Sequence, residues 1–328
     1  MKKANTYLST SKRGVFVFEN NNGLNDKKLL NEGVKGHLTT GKIKIKENID
    51  VFICPVCGEA MGLDDNKSLI CSNRHCFDIS KRGYINLLLN SPKSQYDKEL
   101  FQARNAICEM GFCNPLTQSI VLLAGKNISK IKSQSIRILD AGCGEGFHLS
   151  EIIGGLINTT GLNIQGVGID ISKEGVQIAS KNHKDIIWCV ANLAKIPFAD
   201  RRFDIVLNIL SPSNYSEFGR IICNDGMLIK VVPGSDYLKE LRQTFYENTD
   251  KKTYSSERVV EHFSKNFDIV DTKKLKYSVK INKDELKHLI RMTPLSWGVT
   301  NETIDRAFKK GIDCVTADFT IMIGKRNQ

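Results

Sequence analysis

No stretch of the 328 residues approaches the roughly 18 to 20 apolar residues needed to span a bilayer, and the start, MKKANTYLSTSKRG, lacks the apolar run of a secretory signal. These absences set aside membrane spanning and export, and a cytosolic protein is expected. No internal repeat is visible. Acidic residues are in deficit, with 36 Asp/Glu against 47 Lys/Arg and a formal charge of +11. Such an excess suits a polyanionic partner, nucleic acid or an acidic membrane surface, without choosing between them. With 41% hydrophobic and 25% charged residues, a wholly disordered, collagenous or coiled-coil chain is excluded. The length suffices for one large domain or two ordinary ones.

Ten cysteines in a cytosolic chain are expected as thiols, metal ligands or core residues rather than as disulfides. Their spacing decides. Cys54-Pro-Val-Cys57, thirteen residues, then Cys71-Ser-Asn-Arg-His75 is C-x2-C-x13-C-x3-H. Two close pairs separated by a loop are what a tetrahedral ion needs, and thiolates with one imidazole favour zinc. Cys76, beside His75, is the alternative fourth ligand. Four protein ligands leave no open position, so the site reads as structural, and it stabilises a segment too short to build its own core. Phe77 and Tyr84, interleaved with Lys81 and Arg82, have the composition of a base-stacking, phosphate-contacting surface, although each ring could equally pack around the metal. Charge over 51–90 is even, so RNA contact there needs a local patch.

Residues 1–50 form a basic N-terminal extension, with ten Lys/Arg against five acids, and read as a solvated, mobile arm, with an RNA-contacting extension as the alternative. A short β element at 14–18 has no evident place. Residues 51–90 are the zinc-binding module and 91–107 a connector. From 108 to 328 the pattern is strand, glycine turn, helix, repeated, with strands expected at 136–139, 165–170, 186–190, 203–209, 226–232 and 314–323. This predicts an α/β fold with a mostly parallel sheet covered by helices on both faces.

Within it, Asp140-Ala-Gly-Cys-Gly-Glu-Gly146 follows an apolar strand and precedes a helix. G-x-G-x-x-G alone is usually a dinucleotide signal. Here no P-loop Lys-Ser/Thr follows, and the acidic Asp140 and Glu145 suit a methionine ammonium and sulfonium better than a pyrophosphate. Gly142, Gly144 and Gly146 let the backbone approach a ligand closely. Asp170, at the end of the next strand and followed by Ile171, is placed for two ribose hydroxyls. Asn192 and Leu193, after the third, offer an amide and an apolar neighbour to an adenine. Three strand ends in order form one crevice, the signature of a Rossmann-like S-adenosylmethionine-dependent methyltransferase. A dehydrogenase and a decayed, non-catalytic domain are the other readings.

With both sites in hand, the chain resembles the bacterial 23S ribosomal RNA guanine-N1 methyltransferases of the RlmA/TlrB type. Cys54 to Leu88 is similar to the family's zinc module, and Asp97-Lys-Glu-Leu-Phe-Gln-Ala-Arg104 with Gly111-Phe-Cys-Asn-Pro-Leu116 to its connector. Asp140–Gly146, Ser211-Pro-Ser-Asn214 and Arg291-Met-Thr-Pro-Leu-Ser-Trp297 follow in the family's order. Asn208 to Phe218 and Lys230-Val-Val-Pro233 lean towards the Gram-positive branch, associated with the hairpin loop near the macrolide site. The resemblance implies zinc on Cys54, Cys57, Cys71 and His75, cofactor contacts from Gly144 and Glu145, an antiparallel last strand, a homodimer, and 23S ribosomal RNA as partner. Cys113 stands where a Tyr can occur in the family and Tyr237 where a His can occur, both at cofactor positions. Residues 1–50 have no counterpart.

Guanine N1 carries a proton, so methylation requires its removal, in-line attack and stabilisation of charge on N1/O6. The base must also be unstacked, which favours a loop nucleotide. Asn214 is expected to hold the Watson–Crick edge and Tyr215 or Trp297 to stack on the ring, while Asn214 as a helix cap and Trp297 as core are the plainer readings. Asp200 and Glu217 are chain neighbours of this loop, but neither identifies itself as a base. Lysines between 265 and 287 outnumber the acids there and suit a phosphate track. A methyltransferase acting on another RNA or a protein, or a non-catalytic zinc-containing RNA-binding protein, would share many of these features.

Overall fold

Burial on both faces of a strand demands a continuous apolar run, and the runs ending at Asp140, Asp170, Val190 and Ile209 lie side by side as the centre of an eight-stranded sheet. The computed structural model describes residues 40–65, 67–90, 96–129, 131, 135–247, 249 and 253–327, all within the unit Leu38–Gln328. The expected element at 14–18 and the arm up to residue 39 lie outside them.

The strands in chain order are β1 (Met61–Asp64), β2 (Ser68–Cys71), β3 (Cys76–Asp78), β4 (Tyr84–Asn86), β5 (Ser135–Ala141), β6 (Asn163–Asp170), β7 (Ile187–Val190), β8 (Phe203–Ile209), β9 (Ile222–Pro233), β10 (Phe267–Lys280) and β11 (Cys314–Arg326). The helices are α1 (Thr40–Glu47), α2 (Lys98–Glu109), α3 (Asn114–Ile128), α4 (Phe147–Thr160), α5 (Lys173–Asn182), α6 (Tyr215–Ile221), α7 (Lys239–Phe245), α8 (Glu257–Ser264), α9 (Lys283–Met292) and α10 (Asn301–Lys309). β1, β2 and β3 make a small antiparallel sheet. The large one has the order β10-β11-β9-β8-β5-β6-β7-β4. β11 pairs antiparallel with both β9 and β10, and the other pairs are parallel. The mostly parallel sheet and antiparallel last strand expected from the sequence are therefore present.

Two strands of the large sheet, β10 and β4, lie outside the expected ranges. β10, whose residues alternate between outer and half-buried positions, hides inside the lysine-rich stretch. Two of its lysines are engaged: Lys273 donates to Ser119 Oγ at 3.0 Å, and Lys276 pairs with Asp236. β4 lies within the zinc-bearing segment yet adds to the edge of the large sheet through Tyr84, Ile85 and Asn86. Segment 51–90 is thus continuous with the α/β core.

The end of the basic extension is likewise anchored, contrary to a mobile arm reaching residue 50. Ile45 and Asn48 are fully buried, and Arg137 of β5 forms a two-pronged pair with Asp50 at 2.8 and 3.0 Å. Among the described residues no single helix is long and apolar enough to cross a membrane.

Candidate active site

The turn after β5 is shaped by three glycines with φ of +92° (Gly142), +55° (Gly144) and +85° (Gly146), a region that side chains rarely enter. Space is equally restrictive. A Cβ on Gly142 would meet Ser211 at 2.6 Å, and one on Gly146 would meet Trp188 at 2.5 Å. Gly146 then starts α4, leaving the turn as a cradle at the carboxyl edge of the sheet.

Acidic groups surround that cradle. Asp140 and Glu145 are each 1% exposed, and Asp140 Oδ1 and Glu145 Oε1 have no hydrogen-bond partner among the described residues. Unsatisfied buried acceptors are costly unless a ligand completes them, and these suit a cationic amine. Burial pushes the Asp140 carboxyl up to about 8, with Arg104 opposing the rise. Asp170 Oδ2 accepts from Gly144 N and its Oδ1 from Ser172 N, both at 2.8 Å. Each oxygen keeps a lone pair for a hydroxyl, and Ile171 follows, half-buried. Asn192 is exposed, its Oδ1 accepting from Ala194 N at 2.9 Å, and with Leu193 it lines a second cavity of about 560 Å³.

The donor set therefore fits S-adenosylmethionine: Asp140 and Glu145 for the ammonium, Asp170 for the ribose, the glycine backbone for close approach. One further participant carries no local signal in the sequence. Arg104, on α2 in the expected connector, places its guanidinium over Gly144 and pairs with Glu145 Oε2. Its distance along the chain hid it.

Beside the cradle opens a cavity of about 720 Å³, bounded by α2, α3, the 210–215 loop, β9, α7, α8 and the 292–295 turn. Tyr237 and Cys113 both line it. Tyr237 packs on Phe319 at 5.2 Å between ring centres, and burial raises its hydroxyl to about 12. Cys113 is joined to Cys108 in a disulfide across the turn between α2 and α3, their Cα atoms 5.0 Å apart, and His148 lies beside them. This pair departs from the expectation of thiols, metal ligands or core residues rather than disulfides: the tight turn brings the two side chains together.

The expected base-handling residues fare differently. Asn214 caps α6, its Oδ1 accepting from Glu217 N at 3.3 Å while its Nδ2 donates to Leu193 O at 3.0 Å. With its amide so committed, it is a cap and a tie to the 193–194 turn rather than a reader of the base. Tyr215 is 5% exposed and sits in an aromatic cluster with Phe218, His262, Phe263 and Phe267, so most of its ring is packed, while it also borders both cavities. Trp297 is at the surface, edge-on to Tyr96 at 5.2 Å, and only Tyr96 of the two lines the cavity. Glu217 and Asp200 are both held by Arg220 outside the cavity.

The metal-ligand cluster is assembled by β2, the turn after it, and the 54–57 turn. Cys54, Cys57, Cys71 and His75 bring all four ligand atoms within 4.8 Å of one another. Cys57 and Cys71 sulfurs are 3.7 Å apart, and His75 Nδ1 lies 3.6 and 3.4 Å from Cys54 and Cys71. Tetrahedral zinc with ordinary bond lengths calls for about 3.8 Å between sulfurs and about 3.6 Å from sulfur to nitrogen. The donors fit, and Cys76 lies outside the cluster, exposed on β3. Phe77 is half-buried and Tyr84 is 8% exposed with its hydroxyl accepting from Gln177 Nε2, so these rings pack rather than await bases; Lys81 and Arg82 are exposed.

Comparison with known proteins agrees with this geometry. The family model described as "RlmA, N-terminal", a zinc ribbon, matches residues 52–94, and one described as "Methyltransferase domain" matches 132–321. A Bacillus subtilis (strain 168) protein provisionally named 23S rRNA (guanine-N(1)-)-methyltransferase YxjB is 43% identical over 288 residues, 86% of this chain and 100% of its own length. The 23S rRNA (guanine(748)-N(1))-methyltransferase of Streptomyces fradiae is 27% identical, covering 85% of this chain and 98% of that one. A Micromonospora griseorubida relative, provisionally a 23S rRNA (guanine-N(1)-)-methyltransferase, is 26% identical over 74% and 86%. The glycine cradle, the Cys3His cluster and these matches together place the chain in the RlmA-type family of 23S rRNA (guanine-N(1)-)-methyltransferases, S-adenosylmethionine-dependent enzymes with an N-terminal zinc ribbon.

Proposed function

We propose that this protein transfers a methyl group to N1 of a guanine in a hairpin loop of 23S ribosomal RNA, near the macrolide site. The observation that carries this reading is the wall of the 720 Å³ cavity beside the cradle: among the described residues it holds no carboxylate, and Arg242 and Arg258 stand on it with Arg104, which Glu145 pairs, and the amine of Lys230. Such a cavity suits an unstacked base with its phosphates nearby. When bound, S-adenosylmethionine supplies an electrophilic methyl group. Asp140 and Glu145 would hold its ammonium, Asp170 its ribose, with Asn192 and Leu193 towards the adenine and Tyr237 and Cys113 on the cavity side. Lys81 and Arg82 of the zinc ribbon offer phosphate contacts, and the family resemblance supports a cytoplasmic homodimer.

Primer extension on ribosomal RNA from a deletion strain and its parent tests the reading, because an N1 methyl blocks pairing. The parent should show a stop in a 23S hairpin loop that the deletion lacks. Identical stop patterns would overturn the assignment.

A further inference from the structure

Lys230, on β9, is 3% exposed, yet no salt bridge engages it among the described residues. Its Nζ donates to Asn208 Oδ1 at 2.5 Å and to Ser211 O at 2.7 Å. Asn208, itself fully buried, donates through Nδ2 to Ala141 O at 2.8 Å, the residue just before the glycine cradle. Ser211 Oγ donates to the same carbonyl at 2.7 Å. The amine is thus fixed between the cradle and the 211–213 loop, on the wall of the cavity.

Two neutral acceptors take two of its hydrogens. An ammonium would carry a third, whereas a neutral amine would present a lone pair in that position. We propose that Lys230 is the catalytic base that removes the N1 proton of the target guanine, a step that deepens and rests on the function proposed above.

The balance is simple. The N1–H proton passes to the Nζ lone pair, and the N1 electron pair forms the new N–CH3 bond as the S–CH3 bond breaks with its electrons going to sulfur. Lys230 leaves the step as an ammonium and gives its proton to solvent.

The other groups on the cavity wall are less suited. No carboxylate lines the cavity among the described residues, and Arg104, Arg242 and Arg258 remain protonated. Burial, with Arg104 adding to it, drives His148 down to about 3, leaving it a weak base. Burial raises Tyr215 and Tyr237, and the ring of His262 packs on Tyr215 at an exposed position of α8. Desolvation lowers Lys230 itself to about 8, the range in which a base is both free and effective.

The test compares the full-length wild type with Lys230→Met and Lys230→Arg on 23S RNA, with cofactor binding by calorimetry. Wild-type turnover should rise with pH through an ionisation near 8, and both variants should lose about 100-fold or more in kcat. Cofactor affinity should stay within about threefold, as expected for a group acting only on the other substrate. Independently of turnover, the Lys230 side-chain carbon in 13C-lysine-labelled protein, assigned by its absence in Lys230→Arg, should titrate well below an ordinary lysine. Turnover near wild type in either variant, or an ordinary titration, overturns the inference. Wild type that forms no N1-methylguanosine overturns the substrate assignment and this step together, whereas N1-methylguanosine from wild type and Lys230→Met alike removes Lys230 alone.

Discussion

Arg104 and Glu145 meet across 41 residues of chain, the arginine on α2 covering Gly144 and the glutamate shut from solvent within the cradle. A buried carboxylate needs its partner, and removing one member leaves the other uncompensated. The pair also joins the segment leading out of the zinc ribbon to the cofactor turn.

Arg104→Ala should therefore lower stability by about 2 to 4 kcal/mol and weaken cofactor binding by about tenfold or more. Lysine at this position should recover little, because a point charge cannot reproduce the two contacts made through Nε and Nη2. Gly144→Ala should resemble Arg104→Ala, since its Cβ would overlap the guanidinium. Urea unfolding and calorimetric titration check all three.

The pH dependence follows from Asp140. Its folded carboxyl titrates at about 8, against about 3.9 for an unfolded aspartate, so between those values the native state holds a proton that the unfolded state has released. Stability should fall as pH rises from about 4 to about 8. A cationic ammonium favours the ionised carboxylate, so cofactor binding should release protons and tighten as pH approaches 8. Asp140→Asn should flatten both trends without erasing the first, because burial raises Asp170 in the same direction. Calorimetry in buffers of different ionisation enthalpy measures the released protons.

One zinc per chain is expected in purified protein. Cys57→Ser and Cys71→Ser should lose it, whereas Cys76→Ser should retain it, as read by elemental analysis. Chelation should first expose amides near residues 54–79 to hydrogen exchange, because the metal joins the 54–57 turn to Cys71 and His75, whereas Phe52 and Ile53 stay tied to Phe198 and Pro197 of the core.

Asn214→Ala should cost about 1 kcal/mol through loss of the α6 cap. Asn214→Asp, which keeps the accepting oxygen, should recover most of that in chemical unfolding. No recovery would point to the amide's tie to Leu193 as the stronger contribution.

The zinc ligands, the glycine turn and six of the sheet's eight strands were legible because each depends on local spacing: a C-x2-C turn, a positive-φ glycine, an apolar run long enough for a buried strand. β4 escaped notice because three residues inside a cysteine-rich segment give no periodic signal, and β10 because its alternation is carried largely by lysines. Fold class and cofactor type were open to reading from residues close in sequence. Which side chains face one another was not, since it depends on burial and on partners far along the chain. Asn208 meets Lys230 across 22 residues and Arg104 meets Glu145 across 41, while Asn214, promising by position, is occupied by the 193–194 turn. Packing excludes water from some polar groups and supplies partners to others, and that selection assigned the chemistry of this site.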